Sequence, residues 1–315
     1  MPTTTAPNSD TGPPKMVVKS PVSGLQFHAP GRPFEPGSLS STRIFITGPY
    51  RSGKSTLLAS GGPRMLVLDF EDKYRVIPHP TCTYTVPRNG RETKELIEWL
   101  LGEATAGQRP FDTIGIDTID SEVYDVMIPW LTSQLPEVWR QKHPTQDITG
   151  YGQSERGNTG WSSVTNTTIG LLSQLHLAGY GYVVAGHERG AEDGAKLRPT
   201  VNPGVFGRLF GACELYGRTS IVSVTEEGGI KIVKIGTREV KRRERTTRLV
   251  VQIHFQHKVP DSPMRLGANL QLPSPLVLPY MGGWDVIQKA WDETVSFLQG
   301  QTVEPTAAVV AASTH

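Results

Sequence analysis

Gly48-Pro49-Tyr50-Arg51-Ser52-Gly53-Lys54-Ser55 matches G-x-x-x-x-G-K-[ST] at every fixed position, and Thr56 follows it. The residue types suit one task, holding a polyphosphate. Glycines let consecutive backbone N–H groups turn inward around phosphate oxygens. A helix starting at the motif adds the positive end of its dipole. Lys54 offers a point charge to β- and γ-phosphates, and Ser55 offers a hydroxyl to Mg²⁺. The bland alternative, a glycine-rich turn with a chance Lys-Ser, does not account for the flanking pattern. Arg43-Ile44-Phe45-Ile46-Thr47 reads as a buried strand running into the motif, and Lys54 to Ala59 reads as a helix leaving it. ATP and Mg²⁺ are therefore the expected ligands. No Asn-Lys-x-Asp guanine-reading motif occurs, which favours ATP over GTP.

Carboxylates follow two further apolar runs. Phe111 to Asp117 ends a buried strand on Asp117, where a parallel sheet presents its ligands. Asp117 is expected to hold the Mg²⁺ shell; the other reading makes it the N-cap of a helix starting at Ile119, a job open to Asp120 as well. Met65 to Asp69 leads into Asp69-Phe70-Glu71-Asp72. Glu71 or Asp69 is placed to take a proton from an attacking water, unless the cluster is only a solvated acidic turn. Tyr182 to Ala185 is another buried strand, followed by Gly186-His187-Glu188-Arg189. His187 is either a sensor of the γ-phosphate or a hydrogen-bonded surface histidine.

These groups need a scaffold of strands alternating with helices. Glu92 to Leu101 places Leu96, Ile97, Leu100 and Leu101 on one helical face. Ile119 to Leu135 reads as helix up to Pro129, Val164 to Ala178 as helix again, and Trp284 to Leu298 as a closing amphipathic helix. Residues 136–161 read as a long polar loop. Glu226-Glu227-Gly228-Gly229 lies between two strand-like runs, a hairpin signal. The expected fold class is α/β: a mostly parallel sheet with helices on both faces, extended by C-terminal antiparallel hairpins.

The 315 residues carry 32 Lys and Arg against 30 Asp and Glu, so overall charge singles out no partner. Two cysteines exclude a disulfide scaffold and suit a reducing compartment, and no apolar run is long enough to span a bilayer. A cytoplasmic protein without membrane contact is expected. Residues 1–40, rich in Pro, Thr and Ser, read as a flexible arm; 41–300 as one ATPase domain; 301–315 as a flexible tail. Residues 234–258 hold eight basic residues against two acidic ones in a chain of net +2, so the remainder is net negative. Lys241, Arg242, Arg243 and Arg245 form the centre of this cluster. It fits a nucleic-acid surface, a finger reaching a neighbouring copy's γ-phosphate, or a solvated hairpin face. Tyr151, Arg156 and Trp161 in the polar loop offer stacking to unpaired bases, or Trp161 simply anchors the next helix.

Taken together, Leu66-Val67-Leu68-Asp69-Phe70-Glu71, Ile114-Gly115-Ile116-Asp117 and a polar cap on the next strand resemble the RecA-type recombinase core. The resemblance puts Glu71 in the role of general base, Asp117 in the Walker B role and His187 where RecA carries Gln. Ala185-Gly186-His187-Glu188, Pro199 to Gly204, Arg265-Leu266-Gly267 and Leu272-Pro273 are similar to motifs of the short phage-encoded RecA/RadA-like ATPases, the Sak-type single-strand annealing proteins. That resemblance spans about residues 40–280. It implies a DNA-dependent ATPase in recombination or strand annealing. Its partners would be single-stranded DNA, further copies of the chain or a single-strand-binding protein. A P-loop kinase of small molecules or nucleotides, and a non-catalytic ATP-binding adaptor, are the alternatives.

Overall fold

The structure is a computed structural model; it describes residues 38–152, 159–189, 198–235, 238–256, 272, 274–279 and 282–298, with backbone only at 159, 198, 224–235, 238–249, 256 and 297–298. The strands are β1 (Arg43–Gly48), β2 (Met65–Asp69), β3 (Thr83–Thr85), β4 (Thr113–Asp117), β5 (Gly181–Arg189), β6 (Arg198–Pro199), β7 (Leu215–Ile235), β8 (Arg238–Gln256) and β9 (Leu276–Leu278). The helices are α1 (Lys54–Ala59), α2 (Gly90–Thr105), α3 (Ile119–Ser121), α4 (Ile128–Ser133), α5 (Glu137–Lys142), α6 (Thr159–Leu177), α7 (Pro203–Ala212) and α8 (Trp284–Leu298).

The sheet runs β3-β2-β4-β5-β1-β7-β8-β9, with β6 pairing β5 at one side. From β3 to β7 all neighbours are parallel; β7–β8 and β8–β9 are antiparallel. This is the α/β architecture of a P-loop NTPase core. The plain apolar runs of β1, β2 and β4 follow from burial on both faces. Alternation along β1 sends Phe45 to one core, with Ile97, Val164 and Leu172, and Ile44 and Ile46 to the other, with Leu57, Ile287 and Trp291. The order places β5 between β1 and β4, with Gly48 in register with His187 and Asp117 with Ala185.

Three expectations change, and one helix is additional to them. First, Glu226 to Gly229 is not a turn. β7 runs through it, with a register shift between Glu227 and Ile230, and its pairing with β8 continues to Ile235 opposite Arg238. The two glycines are absorbed in a bulge because the pairing continues on both sides of them. Second, helix does not end at Pro129 but continues to Ser133. A π-helical stretch, Glu122–Met127, intervenes, with Ile128 N–H reaching the Val123 carbonyl. Pro129 then falls in the first turn of α4, where a missing N–H costs nothing.

Third, residues 136–161 are not one loop. They hold α5, a 3₁₀ turn at Ile148–Gly150 and the start of α6. Trp139, Tyr151 and Trp161 pack on the core beside buried Ile148, so sparse apolar residues suffice to seat the segment. Only 153–158, with Arg156, lie outside the described residues. The additional helix is Pro203 to Ala212: Asn202 caps it by accepting from Gly204 N–H at 2.8 Å, and proline opens its first turn. Residues 1–37 of the N-terminal arm and the 301–315 tail also lie outside the described residues; Leu39 is fully buried, and Ser40 accepts from the Thr113 hydroxyl.

From Thr219 onward β7 pairs with β8 alone, and β8 up to Val250 pairs with β7 alone. The result is a two-stranded ribbon of about 45 Å beyond the sheet, at ~3.3 Å per residue.

Candidate active site

The phosphate loop sits between β1 and α1, as the motif requires. Gly53 has φ +84°, a left-handed conformation, and a Cβ there would meet Val251 Cγ2 at 2.7 Å. A Cβ on Gly48 would meet Ser52 Oγ at 2.7 Å. Gly48 is thus needed for room, and Gly53 for room as well as for its left-handed backbone. Ser52 shares a 2.7 Å hydrogen bond with the Thr219 hydroxyl, which ties the loop to β7.

Lys54 is buried, its ammonium donating to the Gly48 and Pro49 carbonyls at 2.8 Å each and to Ser52 Oγ at 3.3 Å. Burial brings it down to about 8, and the charge of Lys73 adds to the fall, while Asp117, Asp120 and Glu188 oppose it. An anion in the loop would restore what burial removes.

Asp69 and Asp117 stand in register at the ends of β2 and β4, both fully buried. Asp69 accepts from the backbone N–H of Glu71 at 3.2 Å and of Tyr74 at 2.9 Å, so it shapes the turn. Neither oxygen of Asp117 has a hydrogen-bond partner. Burial pushes its carboxyl up, and the neighbouring Ser55 hydroxyl pulls the other way. The helix cap that was open to Asp117 or Asp120 belongs to Thr118, whose hydroxyl accepts from Ser121 N–H.

Glu71 faces the pocket. Its Oε1 accepts from Thr118 Oγ1 at 2.9 Å and Ser121 Oγ at 3.3 Å and lies 3.1 Å from His187 Nε2; its Oε2 pairs with Lys73. His187 lies within β5 rather than beyond it, and Tyr50 of the loop stacks on its ring, centroids 3.9 Å apart. Burial lowers the imidazole to about 4, with the Lys54 charge adding to this, so it is neutral near pH 7. Nε2 then carries the proton toward Glu71, consistent with a buried Nδ1 that has no partner. The backbone N–H of His187 donates to Asp120 Oδ2 at 2.7 Å, and the Thr200 hydroxyl joins the other Asp120 oxygen to the His187 carbonyl. Glu188, next along, accepts from Thr47 Oγ1 at 2.6 Å and Arg218 Nε at 2.8 Å, joining β5, β1 and β7.

A cavity of about 820 Å³ gathers the whole loop from Tyr50 to Thr56 with Glu71, Lys73 and His187, and Ile221, Val250 and Val251 from the ribbon root close it. The expected residues Lys54, Ser55, Glu71 and His187 therefore meet at one place, with Asp117 just beneath. Lys241, Arg242, Arg243 and Arg245 lie on β8, in register with Ile232, Lys231, Ile230 and Glu227. Trp161 stands on α6 edge-on to Tyr124, centroids 6.1 Å apart. Sequence reasoning missed Lys73, Thr118, Glu188, Thr219 and the apolar root of the ribbon. Lys73 alone had a local signal, a cation two residues past Glu71.

The AAA-domain family profile matches residues 40–249, two thirds of the chain and the whole span from β1 to the ribbon. The chain belongs to the AAA-domain family. No curated protein matches it significantly. AAA-domain membership points to a nucleoside triphosphate as the ligand of the P-loop pocket. Among the described residues of this AAA-domain protein, no helix is long and apolar enough to cross a membrane.

Proposed function

We propose that the chain hydrolyses ATP with Mg²⁺ in this pocket and couples the reaction to single-stranded DNA, in recombination or strand annealing of the phage Sak type. The observation that carries the hydrolytic half is the carboxylate of Glu71 on the wall of the phosphate-loop cavity. Loop amides and Lys54 hold the phosphates. Glu71 accepts a proton from water as its oxygen attacks the γ-phosphorus and ADP leaves. Neutral His187 steadies Glu71 through Nε2–H.

Ser55 and Asp117 would hold Mg²⁺. The two partnerless oxygens of Asp117 are what such an ion, or a water in its shell, would satisfy, and Mg²⁺ sites need few protein ligands beside the phosphates. The ion supplies charge neutralisation of the β- and γ-oxygens.

The DNA half rests on the ribbon. It carries the basic cluster, and its root, Val250 and Val251, lines the nucleotide cavity, so one element touches both functions. A cluster of this sign is suited to phosphate backbones. ATP hydrolysis by the full chain, with and without single-stranded DNA, tests both halves. Stimulation by DNA is expected in the parent, and no turnover in Lys54→Ala. Turnover indifferent to DNA removes the DNA half and leaves an ATPase uncoupled from DNA; no turnover at all in the parent leaves the kinase or the adaptor. Undiminished turnover in Lys54→Ala removes the site.

A further inference from the structure

Lys73 lies on the cavity wall with 41% of its side chain exposed, and its ammonium pairs with Glu71 Oε2. The other Glu71 oxygen already faces Thr118, Ser121 and His187. A carboxylate engaged on both oxygens has little lone-pair capacity left for a water. The proposed base is therefore latched in this state, and Lys73 is the exposed member of the latch.

Lys73 has a second place to go. Apart from the loop's own residues, it is the one cation lining the cavity among the described residues. Lys54 approaches from the loop side, and the two cations disfavour one another across the cavity. A phosphate between them would relieve that repulsion and offer Lys73 a more highly charged partner than one carboxylate. A diphosphate held by the loop lacks the terminal group that Lys73 would reach.

We propose that Lys73 binds the γ-phosphate and that its transfer from Glu71 to that phosphate frees Glu71 to hold the attacking water. The inference rests on the pocket being an ATP site. It makes the third phosphate the key that unlatches the base, so the empty and ADP-bound states keep Glu71 occupied.

The test is equilibrium binding of ADP and of the β,γ-imido analogue of ATP, each with Mg²⁺, to the full-length parent and to Lys73→Met. Methionine keeps most of the aliphatic stem and removes the charge. The analogue should weaken roughly tenfold or more, the scale of one lost charge-assisted contact, with ADP within about twofold of the parent. Lys73→Arg should keep much of the discrimination. Glu71→Gln, which loosens the latch, should tighten the analogue in the parent background and do so much less beside Lys73→Met. Equal weakening of both nucleotides, or of neither, overturns the γ-phosphate role, as does an effect of Glu71→Gln that is independent of Lys73. A parent that binds neither nucleotide fails differently: the ATP-site reading itself falls, and the role of Lys73 with it.

Discussion

At the C-terminal ends of β1, β2, β4 and β5, polar groups are buried and individually accounted for. Asp69 is filled by two backbone N–H groups, Glu71 by four side chains, and Asp117 by none. The β7–β8 ribbon is built the other way. Beyond Val222 its strands pair only with each other, and its sequence is rich in charge. A segment with that many cations could not enter either core without a large desolvation cost, so the fold carries it outward. In the pocket, an unpartnered group marks chemistry; in the ribbon, the charge density of the sequence is the mark. The two meet at Ile221, Val250 and Val251.

The sharpest way to test the pocket side is Glu71→Gln. An amide cannot take the water's proton, so turnover should fall by about 10²-fold or more while ATP still binds. Single-turnover hydrolysis beside equilibrium binding reads both; unchanged turnover moves the base elsewhere. On the ribbon side, Lys241→Ala, Arg242→Ala and Arg243→Ala together should weaken single-stranded DNA of any sequence. They should also flatten the plot of log affinity against log salt by roughly 2, at ~0.7 per lost phosphate contact. ATP affinity should hold. Normal DNA binding with lost hydrolysis would make the cluster a lid or a finger in trans.

Smaller effects separate the two buried aspartates. Asp69→Asn can satisfy only one of its two backbone donors and should cost about 1–3 kcal/mol. Asp117→Asn removes a charge that burial disfavours, so unfolding of the nucleotide-free chain at neutral pH should show equal or greater stability. Matching losses at both sites would erase the distinction drawn between them.

A pH-dependent effect lies under the site. Glu122, in the π-helical stretch, is fully buried, and burial raises it from 4.5 to about 8. The folded chain then keeps a proton that the unfolded chain releases. Stability from this group is present below about 4.5 and lost as pH rises toward about 8. Glu122→Gln should flatten that decline in chemical unfolding measured across the range.

Read along the chain, the phosphate loop was legible in full, because its chemistry depends on fixed spacing within eight residues flanked by a strand and a helix. β1, β2, β4, β5, α2, α6 and α8 were legible from apolar period, which is also local. Two carboxylates after one strand were visible, but the choice between them was not: Asp69 turned to its own backbone and Glu71 to the cavity only once Thr118, Ser121 and His187 arrived from β4 and β5. The bulge at Glu227, the placement of β5 between β1 and β4, and the ribbon root against Gly53 were likewise decided in space. Each depends on pairings between segments far apart in sequence. Such pairings are chosen by the energy of the whole sheet and its two cores, a sum that no short window of residues contains.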